Sequence, residues 1–444
     1  MSHSVGIQGY IDANPFSSRQ WLIFLLCLAV VLLDGFDTAS IGYIAPSLLN
    51  EWHVPKPALA PVLSAALFGF AGGAICAGPL ADRFGRKSVL IATILLFGIA
   101  CFASASASSL DQLVTWRFIT GLGLGAAGPC AVTMIAECSP SSRRSLITNA
   151  MFCGFPVGAA CGGFLAAWMI PHWGWRSVLE AGGTVPVILA LIMLVAMPES
   201  ARYLGTMGRP AGDIGRALGR ITGRMPDAAA FVVDEAKPAA SGGSIGLILS
   251  RDYIVGTLML WVTYFMGLVI FYGTINWMPI LLQGAGLPPG EAGLITALFP
   301  LGGFGAILSG WLMDRFNGNK IIAICFALTA VTVFFIGQLV SQLWLLVAIV
   351  FIAGALMNTA QSSLPALAAT FYPTQGRATG VAWMQGVGRF GGIAGSFLVA
   401  DLTARHLGFA SIFIALAVPG LIAAGALLVK QAIRTRASQA REAA

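Results

Sequence analysis

GPLADRFGRK occupies residues 78–87, and a worn copy of it, GWLMDRFNGNK, begins at Gly310, an offset of 232. A second pair keeps almost the same spacing. SPSSRR places Pro140 and Arg144, and YPTQGR places Pro373 and Arg377, 233 residues further on. Two independent pairs at nearly one offset mean a duplicated unit, and what is duplicated can be read from the apolar runs around them. Hydrocarbon ~30 Å thick takes about 20 residues of helix to cross. Runs of that kind fall at 20–49, 58–80, 88–108, 111–138, 145–169 and 175–197, then at 252–283, 291–313, 320–340, 343–371, 378–401 and 407–429. The quoted segments follow the second and fourth runs of each set of six. The expected fold is therefore an all-α polytopic membrane protein, with twelve transmembrane helices in two six-helix bundles, 1–198 and 251–444, joined by a linker at 199–250. Parallel repeats of this kind place a substrate site near the midplane, between halves that rock.

Composition demands the same solvent. Of 444 residues, 57% are hydrophobic and 10% are charged, at a mean hydropathy of +0.84, where a soluble chain carries roughly 25% charged residues. The 54 glycines suit membrane helices, whose backbones approach closely. The net charge of +7 suggests nucleic acid until its distribution is plotted. Only Lys56, Arg176 and Arg405 fall on the side opposite the termini, and Arg117 and Arg389 fall inside spans. All other lysines and arginines lie on the side of the termini, which the positive-inside bias makes cytoplasmic. The basic balance is topology, and no nucleic-acid partner is expected. The polar N-terminus has no cleavable-signal pattern, so the first span is permanent. In the linker, AGDIGRALGRITGR (211–224) sets Ile214, Leu218 and Ile221 at helical spacing against Arg216, Arg220 and Arg224. That pattern fits a helix on the anionic leaflet or a solvated connector.

Cofactor and metal chemistry find no support. Gly123 opens a literal G-x-G-x-x-G, but it lies inside a span with no preceding strand, so a dinucleotide site is rejected; Gly121 and Gly125 have helix-packing spacing. The eight scattered cysteines show no metal or disulfide spacing and read as small core groups. His3, His53, His172 and His406 form no ligand set. No catalytic triad or nucleotide cassette is apparent, so the chain is not expected to be an enzyme.

An ionisable side chain inside a span costs about 2.5–3.5 kcal/mol on insertion scales and is functional by default. Asp34, Asp37, Arg117, Glu137 and Arg389 meet that description. Asp34 and Asp37, three apart, share a helix face ~5–6 Å apart. Two carboxylates so close in low dielectric do not both ionise cheaply, so one should hold a proton, as a proton-coupled carrier requires. The plainer reading is that one of them simply neutralises an arginine. Arg389 sits mid-span between glycines, and its guanidinium suits a substrate carboxylate through two parallel hydrogen bonds, or else backbone carbonyls. The seventh span, WVTYFMGLVIFYGTINWMP (261–279), brings Tyr264, Phe265, Tyr272 and Trp277 to roughly helical spacing, with Asn276 among them. Such residues suit a flat ring by edge and face contact, although a lone aromatic in a span more often packs or faces lipid. Asn358 and Gln361 share a face of the tenth span and could reach ring hydroxyls, and Trp383 of the eleventh joins the candidate substrate site.

Gly78 to Lys87 resembles the loop signature of the major facilitator superfamily, and the copy at Gly310 lies where that superfamily keeps one. Pro198-Glu199-Ser200-Ala201-Arg202-Tyr203 resembles the motif closing the first half in its sugar-porter-like branch. LLDGFDTASIGYIAPSL (32–48) is similar to the first span of the aromatic acid:proton symporters, marked by two aspartates in D-G-x-D. RFITGLGLG, AMFCGF, LWVTYFMGLVI, AQSSLPALAATFYPTQGRATG and GVGRFGG look like the carriers of 4-hydroxybenzoate within that family, with a departure at Cys130 and Pro156, where asparagines would be expected. The resemblance covers nearly the whole chain. It implies uptake of aromatic monocarboxylates with protons across a bacterial inner membrane, by a monomer without cofactors. It implies that Asp37 pairs with Arg117 and that protonation would free the arginine. It also implies a gate network of Asp82, Arg83, Arg86, Glu137 and Arg144, with Asp314, Arg315 and Arg377 in the second half. Glu137 is expected beside Arg143 and Arg144, and Asp82 at the N-terminal end of a neighbouring helix. A carrier of sugars or other neutral solutes shares the loop motifs and is the first rival; a transporter-like receptor for aromatic acids is the second.

Overall fold

The computed structural model describes residues 4–226, 230–232, 246–305, 315–372 and 374–442. Its elements are helical apart from two three-residue strands, β1 (Ser4–Gly6) and β2 (Ala230–Val232), which pair in parallel. The helices of the first half are α1 (Ile7–Ala13), α2 (Ser18–Trp52), α3 (Ala60–Phe84), α4 (Arg86–Ala105), α5 (Leu110–Cys138), α6 (Arg144–Phe152), α7 (Gly154–Trp173) and α8 (Arg176–Ala196). Two short helices follow, α9 (Ala201–Thr206) and α10 (Ala211–Thr222). The second half holds α11 (Ile254–Gly284), α12 (Pro289–Leu301), α13 (Gly318–Gln338), α14 (Leu343–Phe371), α15 (Thr374–Ala404) and α16 (Phe409–Glu442).

Among the described residues, ten helices are long and apolar enough to cross a membrane. The other two expected spans have identifiable reasons for falling short. The run at 291–313 coincides with α12, and its remainder extends into 306–314, outside the described residues. The run at 378–401 lies in α15, which is 31 residues long but carries Gln385, Arg389 and seven glycines among its apolar positions. The apolar faces turned outward confirm the solvent: Ile75, Val195 and Trp344 are 77%, 80% and 85% exposed, a cost in water that lipid removes.

Two compact units emerge from the packing. The first holds residues 1–38, 68–158 and 176–237. In it α4 lies against both α5 and α8, and α5 approaches α3 so closely that a Cβ on Gly125 would come within 2.1 Å of the Phe70 carbonyl oxygen. This is the packing use expected of the α5 glycines. Gly85, at φ +97°, makes the turn between α3 and α4, a conformation glycine adopts without strain. The second unit holds residues 39–67, 159–175 and 238–444. Its core is α11 against α15 and α16, with α13 packed on α16. The outer part of α2 belongs here too, because Gly42 rests on the α11 backbone, where a Cβ would come within 2.7 Å of the Ile275 oxygen.

The linker helix corrects its expected environment. α10 buries Ile214, Leu218 and Ile221 against α1, α9 and β2, so its apolar face is covered by protein, neither by lipid nor by water. Periodicity tells which face of a helix is apolar and not what will cover it. Arg220 Nη2 then donates to the Val195 carbonyl at 2.9 Å, closing the C-terminal end of α8.

Candidate functional site

In the first unit the two intramembrane charges meet. Asp37 on α2 and Arg117 on α5 are both 0% exposed. Arg117 Nη1 donates to Asp37 Oδ1 at 2.6 Å, and Nη2 donates to Oδ2 at 2.9 Å and to the Asp37 carbonyl at 3.4 Å. Arg117 Nε finds no acceptor among the described residues. A third side chain touches the carboxylate: the thiol of Cys101 on α4 donates to Asp37 Oδ1 at 3.6 Å or to the Leu179 carbonyl at 3.5 Å. Asp34, one turn earlier on α2, is half-buried. The fork serves both carboxylate oxygens and both terminal guanidinium nitrogens, which is what makes a buried pair tolerable; removing either partner strands a charge.

The second unit assembles the other candidates on α11, α14 and α15. Arg389 Nη1 donates to the Tyr272 hydroxyl at 3.3 Å. The glycines around Arg389 divide by role. A Cβ on Gly388 would come within 2.1 Å of the Tyr264 ring and one on Gly392 within 2.5 Å of the Tyr272 ring, whereas Gly386 has open space beside it. Small residues thus let the two tyrosines of α11 lie flat against the Arg389 helix. Phe265 is half-buried and its carbonyl abuts Gly391. Gln361 Nε2 donates to the Tyr264 carbonyl at 3.4 Å, while its Oε1 is buried without a donor. Trp383 stacks on Trp261, with centroids 5.9 Å apart and planes 14° apart.

Two amides and an aromatic in the candidate set are committed elsewhere. Asn358 spends its Nδ2 donors on the Phe299 and Gly354 carbonyls at 3.2 and 2.8 Å, supporting the backbone where α12 ends. Asn276 is 1% exposed and donates to Ser396 Oγ at 3.4 Å. Trp277 is fully buried, and so is Cys130. Asn276 Oδ1 and Trp277 Nε1 are buried without a partner among the described residues.

The expected gate network differs in detail from what the resemblance implies. Arg86 pairs with Asp82 at 2.9 Å and approaches Glu137 at 3.5 Å, and its guanidinium lies 5.1 Å over the Tyr203 ring. Glu137 also accepts from the Ser200 hydroxyl. The place at a helix N-terminus belongs to Glu199, whose Oε1 accepts from the Lys87 amide in the first turn of α4 at 3.1 Å; Asp82 is 73% exposed. Arg83 turns its guanidinium toward Phe84 and contributes its carbonyl, which accepts from the Tyr203 hydroxyl at 3.1 Å. Arg144 is not Glu137's partner: its Nη2 donates to Gln8 Oε1 on α1 at 2.7 Å. The neighbouring Ser141 donates through its amide to Asp12 Oδ1 at 2.7 Å and through its hydroxyl to Asp12 Oδ2 at 2.5 Å. Burial works against the charged form of Asp12, but the Ser141 and Gln8 donors and the Arg144 charge outweigh it and hold the carboxyl below its ordinary value. The N-terminal segment thus straps the α5–α6 loop to the linker, where Ser17 Oγ donates to the Ile221 carbonyl at 2.6 Å. Nothing in the N-terminal sequence announced this, because its partners are 129 or more residues away along the chain. Arg315 is exposed; Asp314 and the Arg377 side chain lie outside the described residues.

Because Asp82 and Arg86 sit in this network and not beside Asp37, Asp82→Asn is expected to lower the transport rate while leaving substrate affinity within a few-fold. Calorimetric titration of the folded variant checks this; lost binding would place Asp82 in the site.

Lipid-facing helices around a sealed carboxylate–guanidinium pair are those of a membrane transporter. The chain belongs to the Major Facilitator Superfamily, whose family model matches residues 27–299 and 260–444. It is 46% identical over 426 residues to a 4-hydroxybenzoate transporter of Pseudomonas aeruginosa, covering 96% of this chain and 95% of that one. It is 44% identical over 437 residues to a gallate transporter of Pseudomonas putida, covering 98% and 97%. Among solved structures, the xylose transporter of E. coli in an inward-open conformation superposes with a TM-score of 0.71 at 21% identity, covering 91% of this chain and 94% of that one; at that identity it shares the fold alone.

Proposed function

We propose that this protein takes up hydroxylated aromatic monocarboxylates, 4-hydroxybenzoate or protocatechuate foremost, together with protons across the bacterial inner membrane. It does so by alternating access of the repeats 1–198 and 251–444, as a monomer with both termini in the cytoplasm. The observation that carries the reading is the near-full-length identity to transporters of 4-hydroxybenzoate and gallate. In this reading the parts are assigned as follows. Asp37 is the proton site, Arg117 its counter-charge and Asp34 the second carboxylate of the pair. Arg389, backed by Tyr272 and Tyr264, receives the carboxylate, while Phe265, Gln361 and Trp383 face the ring and its hydroxyls. Arg86, Asp82 and Glu137 stabilise one access state, with Arg144 held through α1.

Uptake of labelled aromatic acids into proteoliposomes with an imposed pH gradient tests this directly. Benzoate-like acids, 4-hydroxybenzoate, protocatechuate and gallate among them, should compete with one another, whereas acetate, lactate and glucose should not. Equal competition by glucose would transfer the protein to the sugar carriers.

A further inference from the structure

Cys101 is 1% exposed, on the face of α4 that meets α2 and α8. Its Sγ lies 3.6 Å from Asp37 Oδ1 and 3.5 Å from the Leu179 carbonyl oxygen. A thiol has one proton, so it can serve one of these acceptors at a time. It has little freedom to leave them: a Cβ on Gly182, one turn beyond Leu179, would come within 3.2 Å of Sγ and 3.0 Å of the Phe36 ring.

We propose that Cys101 is a positioning residue of the coupling site, a two-acceptor thiol whose proton turns between Asp37 and Leu179 as Asp37 changes its protonation state. The inference rests on the reading of Asp37 as the proton site. With Asp37 ionised, Oδ1 is the stronger acceptor and takes the thiol proton beside Arg117 Nη1. With Asp37 neutral, Oδ1 attracts the donor less, and rotation about Cβ–Sγ hands the proton to the Leu179 carbonyl. The buried donor is satisfied in both states, which matters because an unsatisfied buried polar group is penalised. No bond to hydrogen is broken at sulfur; the transported proton binds and leaves at Asp37, never at the thiol. The charged or titratable groups that the described contacts place against Asp37 are Arg117 from α5 and Cys101 from α4, with Asp34 one turn away on its own helix; α8 presents the Leu179 carbonyl. A change of charge on α2 is thereby registered on α8.

The S–H stretch reports the acceptor, so infrared difference spectra between acidic and alkaline buffer should show it moving in reconstituted wild-type protein. That difference should vanish in Cys101→Ala and also in Asp37→Asn, which retains the thiol. Cys101→Ala should displace the pH profile of uptake by roughly half a unit to one unit, the scale of one weak hydrogen bond to a carboxylate. Cys101→Ser, which keeps a donor, should restore it toward wild type. A Cys101→Ala profile superimposable on wild type, or an S–H difference that persists in Asp37→Asn, would overturn the inference. Failure of the underlying reading looks different: there, Asp37→Asn itself accumulates substrate normally.

Discussion

Asp37→Asn is expected to abolish substrate accumulation driven by a pH gradient in proteoliposomes. Both members of the Asp37–Arg117 pair are 0% exposed, and the fork closes at 2.6 and 2.9 Å, so in the resting pair the charges cancel within low dielectric. On the proposed reading, a proton arriving at Asp37 would leave Arg117 as an uncompensated buried cation. Asparagine keeps the shape and one acceptor oxygen but cannot alternate between charge states. The substitution also strands Arg117 permanently, and breaking one side of a buried pair costs about 3–5 kcal/mol. Loss of folding is therefore the competing explanation, and Asp37→Asn combined with Arg117→Gln separates the two. The double variant removes the stranded charge and should regain stability in a thermal melt without regaining accumulation. Normal gradient-driven accumulation by a folded Asp37→Asn protein would remove Asp37 from coupling.

Why this pair was legible in the sequence and other partners were not follows from cost. A charge inside a span is expensive enough that residue type alone singles out Asp34, Asp37, Arg117, Glu137 and Arg389 from 444 positions; the pairing of Asp37 with Arg117 comes from the family resemblance. The same economy made the helices readable, since apolar length is a local property: the expected run at 343–371 and helix α14 coincide. Contacts between distant segments carry no such mark. Cys101 reads as one more small apolar residue until α2 and α8 are placed beside it. Gln8 and Asp12 are ordinary surface residues until folding brings the α5–α6 loop to them. Asn276 and Asn358 show the same limit: their periodicity points toward a cavity, and the donors of both amides go to Ser396 and to backbone carbonyls that no local pattern marks. Helical period assigns a face, but only packing says whether that face meets a ligand, a neighbour or lipid.

Arg389 carries the second large effect. Its guanidinium is half-buried on α15 and donates to the hydroxyl of Tyr272, a residue 2% exposed on α11. By accepting from arginine, that phenol holds the guanidinium beside an aromatic ring of α11. A benzoate-type carboxylate matches this pairing: its oxygens take the planar guanidinium fork and its ring lies against tyrosine. Arg389→Lys keeps the charge and loses the fork, so binding should weaken noticeably. Arg389→Ala should weaken it further, by about 2–5 kcal/mol, the range for truncating one partner of a desolvated, hydrogen-bonded charge pair. Calorimetry with 4-hydroxybenzoate and with its uncharged amide isolates the carboxylate's share. Wild type should prefer the acid strongly, Arg389→Ala should lose most of that preference, and Tyr272→Phe should lose a smaller part. If Arg389→Ala keeps the wild-type margin between acid and amide, another cation receives the carboxylate. Arg117 is then the first to test, because release from a protonated Asp37 would leave its fork open to a second carboxylate.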